Sequence, residues 1–495
     1  MKIIKINNED TVAVALEVLK KGEIIRVNSD EIMLIDDIPS GHKIALKDFT
    51  IGEGVIKYGE ICGKAKRSIR KGEWIHTHNL VADTSGHKYI YQFDTKSIDI
   101  GKTERTFMGY GRDNGEVGIR NYIAIIPTVF CVNGPARKLA QMLTLKYPNT
   151  NFFDGFQVLD HSSGCSQTGD DLEMTSKTLA NVAKNANFGG VLFMSLGCEI
   201  NDLKQMSKYI GDYDSRRVKF MKLQDIDDEY DGGMKLCKEI YDVVSEDTRE
   251  PFNLNRLSIS YNCGGSDGFS GITANRIVGL VNNKLIQCGA TTNITEVPEM
   301  LGAEHILANR AKDRVIFSKI INMINTYKDY FSKYGQTPES NPTQGNKEGG
   351  LTTLADKSLG CIQKGGKSIV MDVVACGDRI KKRGFNLVVG PGNDLAGITA
   401  QVAAGSVLTV FTTGRGTPCG FIGPTFRVAT NNQLYNRKPM WNDFNAGRML
   451  DGESAEKLAD ELFEDIIATC EGRYQTMNER NGFYSIGIFK DGVLD

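Results

Sequence analysis

Residues 257 to 267 read Leu257-Ser258-Ile259-Ser260-Tyr261-Asn262-Cys263-Gly264-Gly265-Ser266-Asp267. The apolar positions at the start of this segment predict a strand, and the residues after them predict a short polar loop. The run Val191 to Leu196 ends in the same way, in Gly197-Cys198-Glu199. In open α/β sheets, ligands bind in the loops beyond the carboxyl ends of strands. The two segments therefore predict strand-end loops that form a binding site.

Strand-like and helical patterns alternate on both sides of this segment. Upstream, the strand-like runs Tyr122 to Val132 and Gly190 to Leu196 precede helical patterns at Pro135 to Leu145 and Asp202 to Ile210. Such alternation is typical of βαβ units and a parallel sheet. The long polar segment Tyr334 to Lys357 interrupts the pattern, and a loop of that length is usually functional or mobile. Five strand-like runs of the carboxy-terminal half end in glycine-containing or polar loops: Leu257 to Tyr261, Lys284 to Gln287, Ser368 to Val374, Asn386 to Val389 and Val407 to Thr412.

The amino-terminal part of the chain has a different pattern. Short apolar runs separated by glycines, such as Val55 to Tyr58, predict a small all-β module. Its last run, Trp74 to His78, alternates, so we expect His76 and His78 to project from one face of a strand. With His42 in the same module, these imidazoles are candidates for binding a metal or sharing a proton. The alternative is that they are solvated strand residues.

Length and composition place the chain among multidomain globular proteins. Its 495 residues exceed what one hydrophobic core usually organises. We expect a module at 1–94, a linker at 95–106, a middle α/β domain at 107–250 and a carboxy-terminal domain at 251–495. A net charge of -2 gives no reason to expect nucleic acid. Without a secretory signal or a membrane-spanning apolar run, the chain is expected to be cytoplasmic and to have no membrane partner.

Cys165, Cys198, Cys263 and Cys361 sit beside glycine in short polar loops. In a reducing compartment these thiols stay free and are candidates for a soft-ligand metal site. They lie far apart in the sequence, so only the fold could gather them. The alternative is that they are small buried hydrophobic residues, because no compact C-x-x-C motif is present.

Arg415 stands between two glycines directly after the strand-like run Val407 to Thr412. An arginine at this position could clamp a carboxylate with two hydrogen bonds, and a solvated surface turn is the alternative. Pro391-Gly392-Asn393-Asp394 could hold hydroxyls or a cation, or form an ordinary β-turn. The sequence lacks phosphate-binding, dinucleotide-binding and nucleophile-elbow motifs. The remaining histidine, thiolate, carboxylate, amide and arginine side chains suit a small polyhydroxylated acid activated by a metal.

Short motifs with these residues follow one another in a definite order. They are Gly41-His42-Lys43, Ile56-Lys57-Tyr58-Gly59, His76-Thr77-His78-Asn79, Gly118-Ile119-Arg120-Asn121, Gly164-Cys165-Ser166-Gln167, Leu196-Gly197-Cys198-Glu199-Ile200-Asn201, Cys263-Gly264-Gly265-Ser266-Asp267-Gly268, Glu296-Val297-Pro298-Glu299, Lys357-Ser358-Leu359-Gly360-Cys361, Pro391-Gly392-Asn393-Asp394, Thr413-Gly414-Arg415-Gly416-Thr417-Pro418 and Asn478-Glu479-Arg480-Asn481. In this order they resemble the altronate dehydratase family of sugar-acid dehydratases. The resemblance covers essentially the whole chain.

The resemblance implies an α/β multidomain chain. Its parts would be an amino-terminal all-β β-clip module, a middle α/β dimerisation domain that forms a homodimer, and a carboxy-terminal Rossmann-like parallel sheet. The implied reaction is that of a hydro-lyase, which removes water from D-altronate to give 2-dehydro-3-deoxy-D-gluconate in hexuronate breakdown. The implied cofactor is a divalent metal, with Fe²⁺ expected and Mn²⁺ as the alternative. A related activity on galactarate or sulfolactate is the alternative function, and a non-catalytic sugar-acid sensor is a third.

Removing the C2 proton and the C3 hydroxyl of a 2,3-dihydroxy acid requires an acid, a base and a group that stabilises the charged carboxylate. The candidate acids and bases are His42, His76 and His78. The candidate metal ligands are Cys165, Cys198, Glu199, Cys263 and Cys361, with His161 in reserve. The candidate substrate-binding residues are Arg415, Asn393, Asp394, Lys347 and Asp267.

Overall fold

A computed structural model describes residues 2–27, 30–83 and 89–492. The amino-terminal module consists of short strands that pair antiparallel into the sheets β1-β2-β5-β8 and β6-β7-β9 and the hairpin β3-β4. The predicted β-rich amino-terminal region is confirmed. Its strands are β1 (Ile3–Ile4), β2 (Val12–Ala15), β3 (Ile24–Val27), β4 (Asp30–Met33), β5 (Lys43–Ala45), β6 (Gly54–Lys57), β7 (Glu60–Ala65), β8 (Trp74–Ile75) and β9 (Leu80–Val81).

The strand predicted from Trp74 to His78 ends at Ile75. Asn79 ends it by closing a turn, because its side chain accepts a hydrogen bond from the His76 amide (2.9 Å) and donates to the Trp74 carbonyl (2.8 Å). The expectation that His76 and His78 share one face of a strand was therefore wrong. Both imidazoles nevertheless lie near the Trp74 ring, at 5.2 Å between ring centroids.

The middle of the chain forms a parallel four-stranded sheet of order β13-β12-β14-β15 and an antiparallel sheet of order β11-β10-β16. Helices α1 and α4 pack on one face of the parallel sheet, and α2 and α3 pack on the other. Its central strands are buried throughout, as expected for a parallel sheet covered on both faces. The elements are β10 (Thr106–Gly111), β11 (Val117–Gly118), β12 (Tyr122–Pro127), α1 (Asn133–Lys146), β13 (Gly155–Val158), α2 (Gly169–Ala183), β14 (Phe188–Ser195), α3 (Leu203–Ile210), β15 (Val218–Lys222), α4 (Glu229–Val244) and β16 (Glu250–Asn253).

The carboxy-terminal part is built on a parallel seven-stranded sheet of order β19-β20-β18-β17-β21-β22-β23, which confirms the predicted parallel sheet. Its strands are β17 (Ser258–Cys263), β18 (Thr291–Ile294), β19 (Val370–Val374), β20 (Gly384–Val388), β21 (Leu408–Thr413), β22 (Thr425–Ala429) and β23 (Phe444–Asn445). Its helices are α5 (Ala274–Gln287), α6 (Glu304–Asn309), α7 (Arg314–Lys333), α8 (Gln344–Glu348), α9 (Leu354–Cys361), α10 (Asp394–Ala403), α11 (Asn432–Arg437), α12 (Ala455–Cys470) and α13 (Met477–Arg480). Within the described ranges, none of the helices has the length and apolar character needed to cross a membrane.

One predicted strand, Lys284 to Gln287, is instead the last turn of α5. The buried side chains of Ile277, Val281 and Leu285 follow helical spacing, which the short apolar run alone did not reveal. The true strand, β18, carries only one apolar residue, Ile294, because the interior of the sheet accepts its polar side chains. Thr292, for example, donates a hydrogen bond to Asn282 at 2.7 Å.

The amino-terminal module packs directly against the carboxy-terminal part. Lys43 and Lys57 reach the carboxylate of Asp356 on α9 at 2.8 and 2.9 Å, and all three side chains are at most 1% exposed. A Cβ atom on Gly268 would lie 2.0 Å from the Gly41 carbonyl oxygen, so the loop after β17 needs glycine there. This packing brings the module next to the carboxyl end of β17.

Candidate active site

The loops after β17 and β21 meet at the point where the strand order reverses. The chain adds β18, β20 and β19 on one side of β17, and then returns to place β21 on the other side. Ligands of open α/β sheets bind in the crevice at such a reversal. Cys263 is the last residue of β17, and Arg415 follows the end of β21. The candidate active site lies at this edge of the sheet, at the carboxyl ends of β17 and β21.

Three acidic side chains converge at the end of β17. The Cys263 Sγ lies 3.6 Å from the Cys361 Sγ and 3.2 Å from the Glu299 Oε2, and all three residues are buried. Glu299 ends a 3-10 turn after β18, and Cys361 ends α9. Two ammonium groups adjoin them, since Lys364 donates to the Cys263 Sγ at 2.7 Å and Lys357 pairs with Glu299 at 2.8 Å.

This arrangement favours one thiolate and one carboxylate. Burial opposes ionisation of Glu299, but Lys357 and Lys364 lower its pKa to about 2. The hydrogen bond from Cys361 lowers the pKa of Cys263 despite burial, and Lys364 lowers it further. The same hydrogen bond, together with burial, raises the pKa of Cys361. Cys263 therefore ionises before Cys361, and the two lysines balance the buried negative charges.

A second layer of buried polar groups lies beside this cluster. Glu296 has a left-handed backbone (φ 65°), a conformation that costs a non-glycine residue roughly 1 kcal/mol or more. Burial, and then the charges of Glu299 and Asp394, raise its pKa well above the usual range. Burial also raises the pKa of Asp394, to about 6. The Glu296 Oε1 and the Asn262 Nδ2 are buried without a hydrogen-bond partner among the described residues, as expected where a ligand binds.

Two histidines of the amino-terminal module contact α8. The Nε2 of His42 donates to the Glu348 carbonyl at 3.2 Å, and its Nδ1 accepts from Trp74 at 3.2 Å. The Nε2 of His76 donates to the Lys347 carbonyl at 2.9 Å. Burial lowers the pKa of both imidazoles, that of His42 to about 4. At neutral pH both rings are therefore uncharged, and their contacts hold the module on the long polar segment.

These contacts should weaken in acid. Because the folded protein holds His42 with a pKa of about 4 and an unfolded histidine titrates near pH ~6.5, the unfolded chain binds the proton more readily between these values. The stabilisation that His42 provides is therefore lost as the pH falls through this window. We expect the difference in Tm between wild type and His42→Gln, measured by calorimetry at constant ionic strength, to be largest near pH ~7 and to shrink towards pH ~4. A difference that stays constant over this range would contradict the assignment.

A cavity of about 860 Å³ opens between the amino-terminal module and the loops after β17 and β21. Arg415 lies at its rim with 46% of its side chain exposed, and donates to the Gly345 carbonyl (2.6 Å) and to Glu348 (3.2 Å). Asp267 lies on its wall and accepts hydrogen bonds from Ser270, Thr430 and Asn431. Further polar and cationic residues line the cavity: Ser40, Asn432, Gln433, Arg437 and Lys438.

The structure distributes the other predicted site residues over several places. Asn393 is the N-cap of α10, where its side chain accepts from the Ala396 amide. Lys347 lies in α8. Cys165, Cys198, Glu199 and His161 all lie in loops of the middle sheet. Among the described residues, two of the five predicted metal ligands, Cys263 and Cys361, lie with Glu299 in one group of ligand atoms within 4.8 Å of one another.

Three segments of the chain match known families. Residues 1–83 match the altronate/galactarate dehydratase SAF domain, and residues 109–245 match the second domain of D-galactarate dehydratase/altronate hydrolase. Residues 254–494 match the D-galactarate/altronate dehydratase C-terminal family. An altronate dehydratase of Bacillus subtilis (strain 168) is 44% identical over 494 residues, covering 99% of both chains. The chain belongs to the altronate/galactarate dehydratase family.

Two relatives from Escherichia coli (strain K12) show the range of this family. An altronate dehydratase is 42% identical to the chain over the full length of both proteins. A galactarate dehydratase (L-threo-forming) is 33% identical, covering 97% of the chain and 95% of that protein. The chain is therefore a hydro-lyase of the sugar-acid dehydratase class.

Sequence reasoning missed several groups at the centre of this candidate site. Glu296 and Glu299 follow β18, which was not recognised as a strand, so the strand-end rule was never applied to them. Lys357 lies in α9 and Lys364 in the 3-10 turn that follows it, and the approach of Lys357 to Glu299 and of Lys364 to Cys263 depends on tertiary packing. The segment Glu296-Val297-Pro298-Glu299 could have indicated these carboxylates, because two acidic residues beside a proline turn suit a binding loop at the end of a strand.

Proposed function

We propose that this chain dehydrates D-altronate to 2-dehydro-3-deoxy-D-gluconate, a reaction of hexuronate breakdown. Full-length identity to two altronate dehydratases supports the substrate. The observation that carries the chemistry is the buried Cys263, Glu299 and Cys361 cluster at the end of β17, because Asp267, in the loop that follows β17, lines a polar cavity together with Arg415. The proposal also includes the domain roles, the oligomeric state and the localisation expected from the sequence. They are a β-clip module at 1–94, a linker at 95–106, a middle dimerisation domain at 107–250 that forms a homodimer, a Rossmann-like domain at 251–495, and cytoplasmic localisation.

The residues of the cluster fit a divalent metal. Two sulfur atoms and a carboxylate oxygen lie within 4.8 Å of one another, and in the part of the chain that the structure describes the buried Glu296 Oε1 and Asn262 Nδ2 have no hydrogen-bond partner. Thiolate and carboxylate ligands suit Fe²⁺, with Mn²⁺ as the alternative. Cys263, Glu299 and Cys361 would hold the ion, which would supply Lewis acidity towards the substrate carboxylate and the leaving hydroxyl. Cys165, Cys198 and Glu199 lie in loops of the middle sheet and outside the group of ligand atoms within 4.8 Å of one another at Cys263, so the proposal places this ion on Cys263, Glu299 and Cys361.

The chain's own residues would bind the sugar acid and move its protons. Arg415 binds the C1 carboxylate, and the polar wall of the cavity binds the hydroxyl groups. Loss of the C2 proton and the C3 hydroxyl leaves an enol, which tautomerises to the 2-keto product. In neutral His76 the Nε2 carries the proton that it donates to the Lys347 carbonyl, so the nitrogen that can accept a substrate proton is Nδ1, which lies 3.1 Å from the Thr77 Oγ1. The protonated carboxyl of Glu296, hydrogen-bonded to Asp394, can return a proton to the leaving oxygen.

If the histidines of the amino-terminal module transfer protons, replacing them should lower kcat. His76→Ala and His78→Ala should fold normally, because both side chains sit in a turn that Asn79 closes. We expect each of these two variants to lose ~10² to 10⁴ in kcat, because each has lost a candidate proton-transfer group. His305→Ala, in α6, is the matched control and should retain kcat. Near-native kcat in both turn variants would reduce the module to a structural role.

The proposed contact between Arg415 and the C1 carboxylate predicts that Arg415→Lys lowers kcat/KM. Lysine keeps the charge but cannot form the two parallel hydrogen bonds of a guanidinium with a carboxylate. We expect Arg415→Lys to lower kcat/KM for D-altronate by roughly one to two decades. An inhibitor that lacks the C1 carboxylate should bind wild type and variant equally. Unchanged kcat/KM would leave Arg415 with only its contacts to Gly345 and Glu348.

Substrate identity is tested by turnover. The purified protein, loaded anaerobically with Fe²⁺, should form the 2-keto product from D-altronate at a higher kcat/KM than from galactarate. Preference for galactarate would favour the alternative that the E. coli galactarate dehydratase represents. Release of sulfite from sulfolactate would instead indicate a sulfo-lyase. Binding of sugar acids without turnover of any of them would indicate a sensor.

A further inference from the structure

Three exposed cysteines follow three adjacent strands of the middle sheet. Cys131 lies in the 3-10 turn after β12, Cys165 in the loop after β13, and Cys198 in the loop after β14. In this sheet, too, the strand order reverses between β12 and β14, because β13 lies on the other side of β12. The three thiols therefore stand at the edge where an open α/β sheet binds its ligands.

Hydrogen bonds join the three loops into one surface. The Phe130 amide donates to the Ser163 carbonyl (3.0 Å), and the Asn201 amide donates to the Gly164 carbonyl (3.2 Å). The Asn201 side chain also donates to the Thr128 carbonyl at 2.8 Å. Each bond lies within a few residues of one of the cysteines.

The other ligand types near these thiols are already engaged. The Glu199 carboxylate accepts hydrogen bonds from Thr128 and Ser195 at 2.6 Å each, and from the Leu196 and Gly197 amides. The His161 Nε2 donates to the Pro127 carbonyl at 2.7 Å, and its Nδ1 accepts from the Ser163 amide at 3.1 Å. Glu199 and His161 therefore shape the loops, which leaves the three sulfur atoms as candidate ligands; the Cys165 Sγ makes one weak contact, with the Ser166 Oγ at 3.8 Å.

The spacing and surroundings of the thiols favour a polynuclear centre. Unlike the ligand atoms around Cys263, the three sulfur atoms do not all lie within 4.8 Å of one another, so they do not converge on a single ion. Cysteine thiolates are the ligands of iron–sulfur clusters. Phe130 and Ile200, close in the sequence to Cys131 and Cys198, leave 47% and 45% of their apolar surface exposed, and such surface would shield a cluster from water.

We propose that Cys131, Cys165 and Cys198 hold a [4Fe–4S] cluster, as a second metal centre separate from the one at Cys263. Three thiolates leave one iron of the cluster without a protein ligand, so that iron is open to a small ligand. This centre does not depend on the proposed substrate or on the metal at Cys263. Cys131 is the residue that completes the set, and no glycine adjoins it in the sequence.

The test uses the full-length chain under anaerobic conditions. Incubation with ferrous and ferric iron in equal amounts and with sulfide should yield ~4 iron and ~4 acid-labile sulfide per chain, together with the visible absorption of a cluster. The Cys131→Ala/Cys165→Ala/Cys198→Ala variant should lose the labile sulfide completely. The matched variant Cys263→Ala/Cys361→Ala should keep it, because labile sulfide does not report on a single ion.

A second measurement needs no substitution. In the unloaded protein the three exposed thiols should react with iodoacetamide, and loading should protect all three by at least tenfold, as read by mass spectrometry. Reactivity of the partly exposed Cys288 should not change. The proposal would be overturned by iron without labile sulfide, by sulfide retained in the triple variant, or by sulfide lost in the Cys263/Cys361 variant.

Discussion

Anaerobic removal of the metal should abolish dehydration of D-altronate, and added Fe²⁺ should restore it. The reason is that the Cys263, Glu299 and Cys361 cluster holds two thiol groups and a carboxylate in a fully buried site. A Lewis acid that stabilises the developing charge contributes several kcal/mol, so we expect a loss of roughly 10³-fold or more in kcat. Cys361→Ala should show the same loss and should not recover when Fe²⁺ is added at the level that restores wild type.

The control for this prediction is another buried cysteine. Cys237, in α4, packs among apolar side chains of the middle domain, and burial alone raises the pKa of its thiol. Cys237→Ala should lose some stability through its cavity and keep full metal-dependent turnover. If metal-free wild type dehydrates D-altronate at its original rate, the metal has no part in the reaction.

Asp356→Ala should produce the largest loss of stability. Asp356 is fully buried between the ammonium groups of Lys43 and Lys57, which lower its pKa well below the usual range although burial opposes this. Removing the carboxylate leaves two buried cations without a partner, which typically costs about 3–5 kcal/mol. Because the lysines belong to β5 and β6 and Asp356 belongs to α9, we expect the amino-terminal module to lose its fixed position beside Cys361. Denaturant unfolding measures the loss, and activity should fall with it.

Asp242→Ala provides the comparison. Asp242 pairs with Lys238 on the surface of α4, where both side chains are more than half exposed. Surface pairs of this kind contribute about 0–1 kcal/mol, so the variant should unfold almost as wild type does. Similar losses in Asp356→Ala and Asp242→Ala would mean that the buried pairs do not hold the module.

Part of the site could be predicted from the sequence, because ligands of open α/β sheets bind in the loops beyond the carboxyl ends of strands. Cys263 and Arg415 each follow an apolar run that is a strand in the structure, so their loops were recognised as candidate ligand loops. The same rule failed after β18. Its buried Thr292 and Asn293 satisfy their side chains inside the sheet, and such a strand has no apolar signature.

Local sequence patterns could not predict contacts between side chains that lie far apart in the sequence. The approach of Lys364 to Cys263, and of His76 to the Lys347 carbonyl, depends on packing between elements far apart in the chain. The turn after β8 illustrates a different limit, because one side chain, Asn79, overrides the alternation that predicted a longer strand. Cysteine spacing likewise could not divide the thiols between two sheets.

The most direct test of the metal site is anaerobic crystallography of the Fe²⁺-loaded protein with a non-reactive altronate analogue, with anomalous data collected at the iron edge. We expect an iron peak between the Cys263 Sγ, the Cys361 Sγ and the Glu299 carboxylate, with the C1 carboxylate of the analogue on the Arg415 side of the cavity. An empty Cys263 cluster, with the analogue bound at an iron elsewhere in the chain, would contradict it.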